Sequence, residues 1–147
     1  MEEFDIAIIG GGPAGIMAAI AASADLNIVL LEKNSSLGSK LLITGGGRCN
    51  ITNEKPIKKL LNSFHDKNFL KHSFYTFTNE MLLDLFRNRG LDFIIEDNNR
   101  VFPETEKSQD ILAILKDYLK DITIKYNYKV SDIKKENNFV INNDIIA

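Results

Sequence analysis

The chain has 147 residues, of which 44% are hydrophobic and 26% are charged. This composition is typical of a single globular domain with a core, and it excludes a chain that is disordered throughout. The formal net charge is −2, so the chain as a whole lacks the basic field that attracts nucleic acids or anionic membranes. Cys49 is the only cysteine, which excludes an intramolecular disulfide and fits a reducing compartment, so we expect a cytoplasmic protein.

The apolar N-terminal stretch does not have the features of a targeting or membrane segment. A signal peptide begins with basic residues, whereas this chain begins with Glu2, Glu3 and Asp5. A membrane-spanning helix needs about 20 consecutive apolar residues, and the glycines and proline at positions 10–13 interrupt the run. We therefore expect no membrane partner.

Strand and helix signals alternate along the chain. In chain order, the predicted elements are a strand over Phe4–Ile9, a helix over Gly15–Ala24 that begins at Pro13, a strand over Asn27–Leu31, a polar helical region over Lys55–Phe74 broken near Asp66, a helix from the cap Thr78 to Arg89 closed by Gly90, a strand over Leu91–Glu96, an amphipathic helix capped by Ser108, a strand over Ile122–Ile133 and a strand over Phe139–Ile141. The first three elements predict a βαβ unit of a parallel sheet, with its strands buried on both faces. The last two strands, joined by a turn at residues 136–138, predict a β-hairpin. The fold class is α/β.

The turn after the first strand has the spacing of a dinucleotide-binding fingerprint. Residues 10–15, GGGPAG, match the pattern GxGxxG between a strand and a helix. In this motif Gly10 makes the tight turn, Gly12 lets the backbone approach a pyrophosphate, and Gly15 lets the helix pack closely. The helix N-terminus offers free N–H groups and a partial positive charge to phosphates. The cofactor-binding residues predicted from this motif are Gly10, Gly12, Pro13, Ala14 and Gly15.

Glu32 ends the second strand, 20 residues after Gly12, where a carboxylate accepts hydrogen bonds from an adenosine ribose. The alternative is a plain βα turn with Glu32 facing solvent. The negative charge disfavours a ribose 2′-phosphate and therefore NADP at this site, although the neighbouring Lys33 weakens that argument. FAD and NAD share the ADP group that the motif binds, so the motif alone does not separate them.

A second glycine-rich tract follows. Residues 38–53, GSKLLITGGGRCNITN, closely resemble a signature of the BaiN/RdsA family of FAD-dependent oxidoreductases. Residues 100–103, RVFP, resemble a second signature of that family, with Asn99 where glycine is expected. Apart from the resemblance, the residue types suit cofactor binding, because consecutive glycines expose N–H groups and Arg48 can add a positive charge near a phosphate or a flavin carbonyl. The alternative is a structural glycine turn with Arg48 in a surface ion pair.

The resemblance covers essentially the whole chain and implies a Rossmann-like FAD-binding domain. It implies an enzyme in which FAD passes hydride to an unsaturated or carbonyl substrate, with NAD(P)H as a candidate electron donor. It also implies that residues 1–147 are the N-terminal part of an FAD/NAD(P)-binding domain, incomplete at the C-terminus, so we expect this part alone to bind FAD weakly and to be inactive. Further cofactor-binding residues expected on this basis are Glu32, Lys33, Lys40, Thr44, Gly45, Gly46, Gly47, Arg48, Cys49, Asn50 and, beside the adenine, Val130. No catalytic side chain is assigned.

Other interpretations stay open. The chain could be a dinucleotide-binding module without catalysis, or an NAD-binding dehydrogenase domain. Residues 54–72 hold five lysines against two acidic residues; the ordinary interpretation is a solvated face, and the alternative is an RNA contact, because the family includes ribosomal RNA dihydrouridine synthases. Cys49 is either a redox thiol, if Arg48 lowers its pKa, or a small packing residue. His65 and His72 lack a third ligand, so we expect no metal site.

Overall fold

In a computed structural model, residues 1–22 and 25–147 are described. The strands are β1 (Glu2–Glu3), β2 (Ile6–Ile9), β3 (Ile28–Leu31), β4 (Thr52–Asn53), β5 (Phe93–Glu96), β6 (Arg100–Pro103), β7 (Thr123–Lys125), β8 (Ile133–Lys135), β9 (Phe139–Ile141) and β10 (Ile145–Ile146). The helices are α1 (Pro13–Ala22), α2 (Ile57–Leu61), α3 (Lys67–Thr76), α4 (Asn79–Arg87) and α5 (Ser108–Tyr118). The predicted end of the first helix at Ala24 lies outside the described residues. None of the helices in these two ranges is long and apolar enough to cross a membrane.

The chain divides into two compact units, residues 1–41 with 115–147 and residues 42–114. In the first unit, β2, β3 and β7 form a parallel sheet in that order. The succession β2–α1–β3 confirms the predicted βαβ opening and the α/β class. All four residues of the central strand β3 are buried. The expectation that the first strand is also buried on both faces is wrong: β2 lies at an edge of this sheet, and Ile9 is 51% exposed.

A second sheet of the first unit has the order β1-β10-β9-β8. The antiparallel pair β8–β9 confirms the predicted hairpin. The single strand predicted over Ile122–Ile133 is wrong, because the backbone is a strand only in β7 and again from Ile133. Asn127, at φ +54°, turns the chain away from the parallel sheet, and asparagine tolerates this left-handed conformation better than most residues. The intervening loop contributes Tyr128 and Val130 to an apolar cluster with buried side chains from β3, β9 and β10.

The second unit has an antiparallel sheet of order β4-β6-β5 together with α2, α3 and α4. The predicted break near Asp66 is confirmed, since its carboxylate caps α3 by accepting the Phe69 N–H at 3.1 Å. Thr78 caps α4 as predicted, with its hydroxyl oxygen 3.2 Å from the Met81 nitrogen. Gly90 follows α4 at φ +80°, a backbone conformation that favours glycine after a helix.

The turn between β5 and β6 explains why asparagine is tolerated at position 99. Asn98 and Asn99 have φ values of +63° and +60°. Asparagine is among the residues that enter this left-handed region at least cost, so it fits the position at which the resemblance predicts glycine.

Helix α5 has the predicted apolar face, but its predicted cap is wrong. Ile111, Leu112, Leu115 and Leu119 are all buried, following the helical period. Ser108 is the first residue of the helix rather than the residue before it. Its fully buried hydroxyl donates to the Leu42 carbonyl at 2.9 Å, so a distant carbonyl uses the group that the sequence pattern assigned to capping.

Candidate functional site

The turn between β2 and α1 is open at one glycine and tightly packed at another. A Cβ atom at Gly15 would lie 1.9 Å from the Gly10 carbonyl oxygen, so only glycine lets α1 approach the turn this closely. Gly10 has φ +102°, and its N–H donates to the Leu31 carbonyl at 2.8 Å. A Cβ atom at Gly12, in contrast, would meet no heavy atom within 4 Å. The backbone at Gly12 is therefore accessible to a ligand.

Glu32 is buried at the end of β3, with 6% of its surface exposed. Its Oε2 accepts the Gly11 N–H at 2.7 Å and its Oε1 accepts the Asn34 N–H at 2.8 Å. The alternative of a solvent-facing Glu32 is thereby excluded. Each carboxylate oxygen has two lone pairs, so the group retains capacity for further donors such as ribose hydroxyls.

Gly11 occupies a variable position of the fingerprint, yet it too must be glycine. A Cβ atom here would lie 2.3 Å from Leu37 Cδ2 and 3.0 Å from Glu32 Oε2. Motif spacing alone did not identify this requirement, because it arises from residues more than 20 positions away in the chain. Gly11 is therefore what allows the Glu32 carboxylate to reach the turn.

The glycine turn and Glu32 open into one cleft of about 500 Å³, built from the first unit. It is lined by Ile9, Gly10, Gly11, Gly12, Pro13, Leu31, Glu32, Lys33, Asn34, Gly38, Ser39, Lys40, Tyr128, Lys129 and Val130. Seven of the predicted cofactor-binding residues are thus brought together: Gly10, Gly12, Pro13, Glu32, Lys33, Lys40 and Val130. Ala14 is exposed in the first turn of α1, and Gly15 packs against the turn. The N-terminus of α1 and the exposed Lys33, Lys40 and Lys129 make the cleft attractive to an anion.

Residues 128–130 form a wall of this cleft. Of these three residues, only Val130 was predicted from the sequence to bind the cofactor. The Val130 side chain packs against the apolar cluster of the first unit. In residues 1–22 and 25–147, no hydrogen bond uses the Val130 N–H or C=O. The Tyr128 hydroxyl donates to the Asp144 carboxylate. Burial and this contact raise the pKa of Tyr128 to about 12, so the phenol stays neutral at physiological pH.

The predicted tract Thr44–Asn50 lies in the second unit and forms a tight turn. Gly45, Gly46 and Gly47 all have positive φ values. A Cβ atom at Gly45 would lie 2.7 Å from the Asn50 nitrogen, so this close approach also requires glycine. The tract is a structural turn, and its role toward a flavin stays a prediction.

Arg48 forms the surface ion pair that the sequence left as an alternative. Its guanidinium contacts both Glu96 oxygens, at 2.6 and 3.2 Å, and Glu106 at 2.8 Å. It also lies 4.2 Å from the centre of the Phe102 ring. Hydrogen bonding to Glu96 and Glu106 raises the pKa of Arg48, and Arg48 holds the pKa of Glu96 below its usual range. The contact of Arg48 with a phosphate or flavin stays a prediction.

Cys49 and Asn50, in the same tract, have structural contacts rather than the features of reactive groups. Cys49 is 4% exposed, and burial raises the pKa of its thiol, with a hydrogen bond from Thr44 opposing part of the rise. This is the opposite of what a redox thiol needs. With its nitrogen turned toward two carbonyls, the Asn50 amide donates to the Thr52 carbonyl at 3.0 Å and to the Val101 carbonyl at 3.3 Å.

In the described part of the chain, no three His, Cys, Asp or Glu residues converge as metal ligands.

The sequence profile of the family described as "HI0933-like protein Rossmann domain" matches residues 4–145. The chain belongs to this family. It is the BaiN/RdsA type of flavoprotein whose two signatures the sequence carries, so the predicted family and fold are confirmed.

This chain matches only part of the length of two named relatives. The 3-dehydro-bile acid delta(4,6)-reductase of Clostridium scindens is 33% identical over 123 residues, which are 82% of this chain and 30% of that protein. The ribosomal RNA dihydrouridine synthase of Escherichia coli is 30% identical over 141 residues, 92% of this chain and 34% of that protein. The chain therefore spans about a third of the length of these curated relatives.

Solved structures show the same fold at low sequence identity. The open conformation of a flavocytochrome c3 fumarate reductase has a TM-score of 0.66 and 19% identity, over 95% of this chain and 30% of the other. THI4 of Thermovibrio ammonificans has a TM-score of 0.53 and 17% identity, over 95% of this chain and 47% of the other. These likenesses support the Rossmann-like fold.

We expect Arg48→Met to reduce the loss of stability in acid. Because the pKa of Glu96 in the folded chain lies below its ordinary value of 4.5, the ion pair contributes stability above that pH and loses it as the pH falls further. Urea unfolding from about pH 7 to about pH 3 should show a shallower decline for the variant than for the unaltered chain. Arg100→Met, which removes a longer 3.4 Å contact to Glu96, should have a smaller effect. Parallel declines for all three proteins would contradict this assignment.

Proposed function

We propose that this chain binds the ADP half of FAD as part of a flavin-dependent oxidoreductase. The observation that carries the proposal is the buried Glu32 carboxylate, held by the Gly11 N–H at 2.7 Å in the same cleft as the N-terminus of α1. A carboxylate with spare acceptor capacity suits the hydroxyls of a ribose, and the helix end suits the phosphates attached to it. The family assignment supports FAD as the nucleotide.

The residues of the cleft fit each part of ADP. The open backbone at Gly12 leaves room for a diphosphate that a side chain would fill. Lys33 and Lys40 add positive charge at the cleft, which helps to attract that diphosphate. The N–H and C=O of Val130, which have no partner among the described residues, match the adjacent acceptor and donor on the edge of adenine. The chain thus offers a partner for each group of ADP.

FAD supplies the hydride chemistry when it is bound, while the protein binds and orients it. In the proposed function, Glu32 and the glycine turn hold the nucleotide end in place. The tract Thr44–Asn50 contributes to the flavin side, in keeping with the sequence resemblance. The proposed reaction reduces an unsaturated or carbonyl substrate with NAD(P)H as electron donor, in the cytoplasm. The name of one relative, a reductase, supports reduction of the substrate as the direction of the reaction.

A titration separates FAD from the alternatives. Adding FAD to the chain should perturb the flavin absorbance band near roughly 450 nm, and excess ADP should reverse the change. NAD that binds at least as tightly as FAD would favour the NAD-binding dehydrogenase domain instead. Absence of NAD(P)H turnover in a protein that contains this domain would favour a module without catalysis.

Gly12→Val should abolish ADP binding without unfolding the chain. The new side chain has open space in the free protein, but it occupies the path by which a diphosphate reaches the backbone. Calorimetric titration with ADP and thermal unfolding together measure both effects. The matched control is Gly15→Val, which we expect to unfold the first unit because its Cβ would lie 1.9 Å from the Gly10 oxygen. If Gly12→Val still binds ADP, the glycine turn is not the diphosphate site.

Glu32→Ala should weaken ADP binding by about 1–3 kcal/mol, the scale of hydrogen bonds to a charged group. It also leaves the Gly11 and Asn34 N–H groups without their acceptor, so a lower melting temperature is expected. Comparing ADP with 2′-deoxy-ADP isolates the ribose contact. The unaltered chain should prefer ADP, and Glu32→Ala should lose that preference. Equal preference in both proteins would show that Glu32 serves only the fold.

RNA is a second candidate partner, favoured by one surface of the second unit. None of the residues of α3 is buried, and Phe69 is 80% exposed between Lys67 and Lys71. The preceding helix α2 adds the exposed Lys58 and Lys59. Lysines attract a phosphate backbone and exposed aromatic rings stack on unpaired bases. The Escherichia coli relative named a ribosomal RNA dihydrouridine synthase supports this candidate.

Phe69→Ala should weaken binding of a fluorescent single-stranded RNA several-fold, since stacking contributes about 1–3 kcal/mol per base. Fluorescence anisotropy at two salt concentrations measures this effect and the contribution of the lysines. Phe139→Ala, which removes a 47% exposed phenylalanine from β9, is the matched control. RNA affinity that is unchanged by Phe69→Ala would leave this surface as a solvated face.

A further inference from the structure

Among the described residues, the Asn142 side chain makes four hydrogen bonds to residues 129–132 and a further one to the Tyr128 hydroxyl. Its Oδ1 accepts the Ser131 N–H at 2.9 Å, the Ser131 hydroxyl at 3.1 Å and the Asp132 N–H at 3.1 Å. Its Nδ2 donates to the Lys129 carbonyl at 2.9 Å. One amide group therefore uses both of its ends to hold a single loop segment.

This segment is part of the cleft, because Lys129 and Val130 line it. The Lys129 carbonyl shares a peptide plane with the Val130 N–H, and the Val130 carbonyl shares the next plane with the Ser131 N–H. In a trans peptide the C=O and the N–H point in opposite directions. Because Asn142 binds the Lys129 C=O and the Ser131 N–H, it turns both polar groups of Val130 away from itself. This accounts for their lack of partners in residues 1–22 and 25–147.

We propose that Asn142 is a positioning residue for base recognition. By orienting both peptide planes that flank Val130, it presents a fixed N–H donor and C=O acceptor to the edge of a purine that carries an adjacent ring nitrogen and amino group, as adenine does. The inference rests on the proposed ADP site and deepens it. Asn142 itself has φ +50°, a backbone conformation that asparagine and glycine adopt with least strain.

The backbone of Asn142 dictates the choice of variant. Asn142→Gly removes these hydrogen bonds while keeping a residue suited to φ +50°. Asn143→Gly is the matched control, since Asn143 has φ +62° and its side chain accepts a hydrogen bond only from Lys134, at 3.0 Å, among the described residues. Asn142→Asp keeps the three acceptor contacts and loses the donor to Lys129.

The test is an NMR titration of the 147-residue chain with ADP and, separately, with inorganic pyrophosphate. Asn142→Gly should weaken ADP binding about tenfold, the scale of one or two hydrogen bonds, and leave pyrophosphate binding unchanged. Asn143→Gly should match the unaltered chain, and Asn142→Asp should fall between the two. A loss of stability alone would weaken both ligands in parallel, so the ratio of the two affinities is the readout for positioning.

Unchanged ADP affinity in Asn142→Gly, a parallel loss for both ligands, or an equal loss in Asn143→Gly would each overturn the inference. Amide hydrogen exchange without ligand provides a separate measurement, in which Asn142→Gly should accelerate exchange at Ser131 and Asp132. If the unaltered chain binds no ADP, the proposed function fails, and the base-recognition role with it. The exchange rates would still show whether Asn142 holds the segment.

Discussion

The hydrogen bond from the Gly11 N–H to the Glu32 carboxylate is the contact on which the rest of the site depends. A buried carboxylate is costly unless its oxygens find donors, and here both oxygens accept backbone N–H groups. The bond ties the end of β3 to the turn before α1. It is short because position 11 has no side chain to separate the two segments. The same carboxylate therefore stabilises the turn and, in the proposed function, also accepts hydrogen bonds from a ribose.

The cleft is assembled from three segments that are distant in the sequence. The turn between β2 and α1 contributes its glycine backbone, the loop after β3 contributes Glu32, Lys33 and Lys40, and the loop after β7 contributes Lys129 and Val130. The third segment exists because the chain leaves the parallel sheet after β7 instead of continuing as a strand. Tyr128 and Val130 pack against the core, and Asn142 binds the peptide groups of neighbouring residues. The Val130 N–H and C=O have no hydrogen-bond partner among the described residues.

Charge is distributed unevenly in this chain of net charge −2. At the cleft, lysines and a helix N-terminus favour an anion. In the second unit, Arg48 is matched by two glutamates and lies over Phe102, so much of its charge is neutralised within the chain. The helices α2 and α3 carry lysines that face solvent. Arg48 thus forms ion pairs within the chain, whereas the lysines at the cleft and on α2 and α3 are exposed to solvent.

The sequence by itself determined the βαβ opening, the fingerprint with Glu32, the helix break near Asp66, the cap Thr78 and the apolar face of α5. Each of these depends on contacts within a few residues or on a spacing that the βαβ unit imposes. Only the tertiary structure decided that β2 is an edge strand, that residues 126–132 form a loop, that Gly11 must be glycine and that Asn142 binds the residues on either side of Val130. It also decided the partners of Arg48, the nearest of which in sequence is 48 residues away. Such contacts leave no periodic or local pattern, because the pairing of segments is set by how the whole core packs.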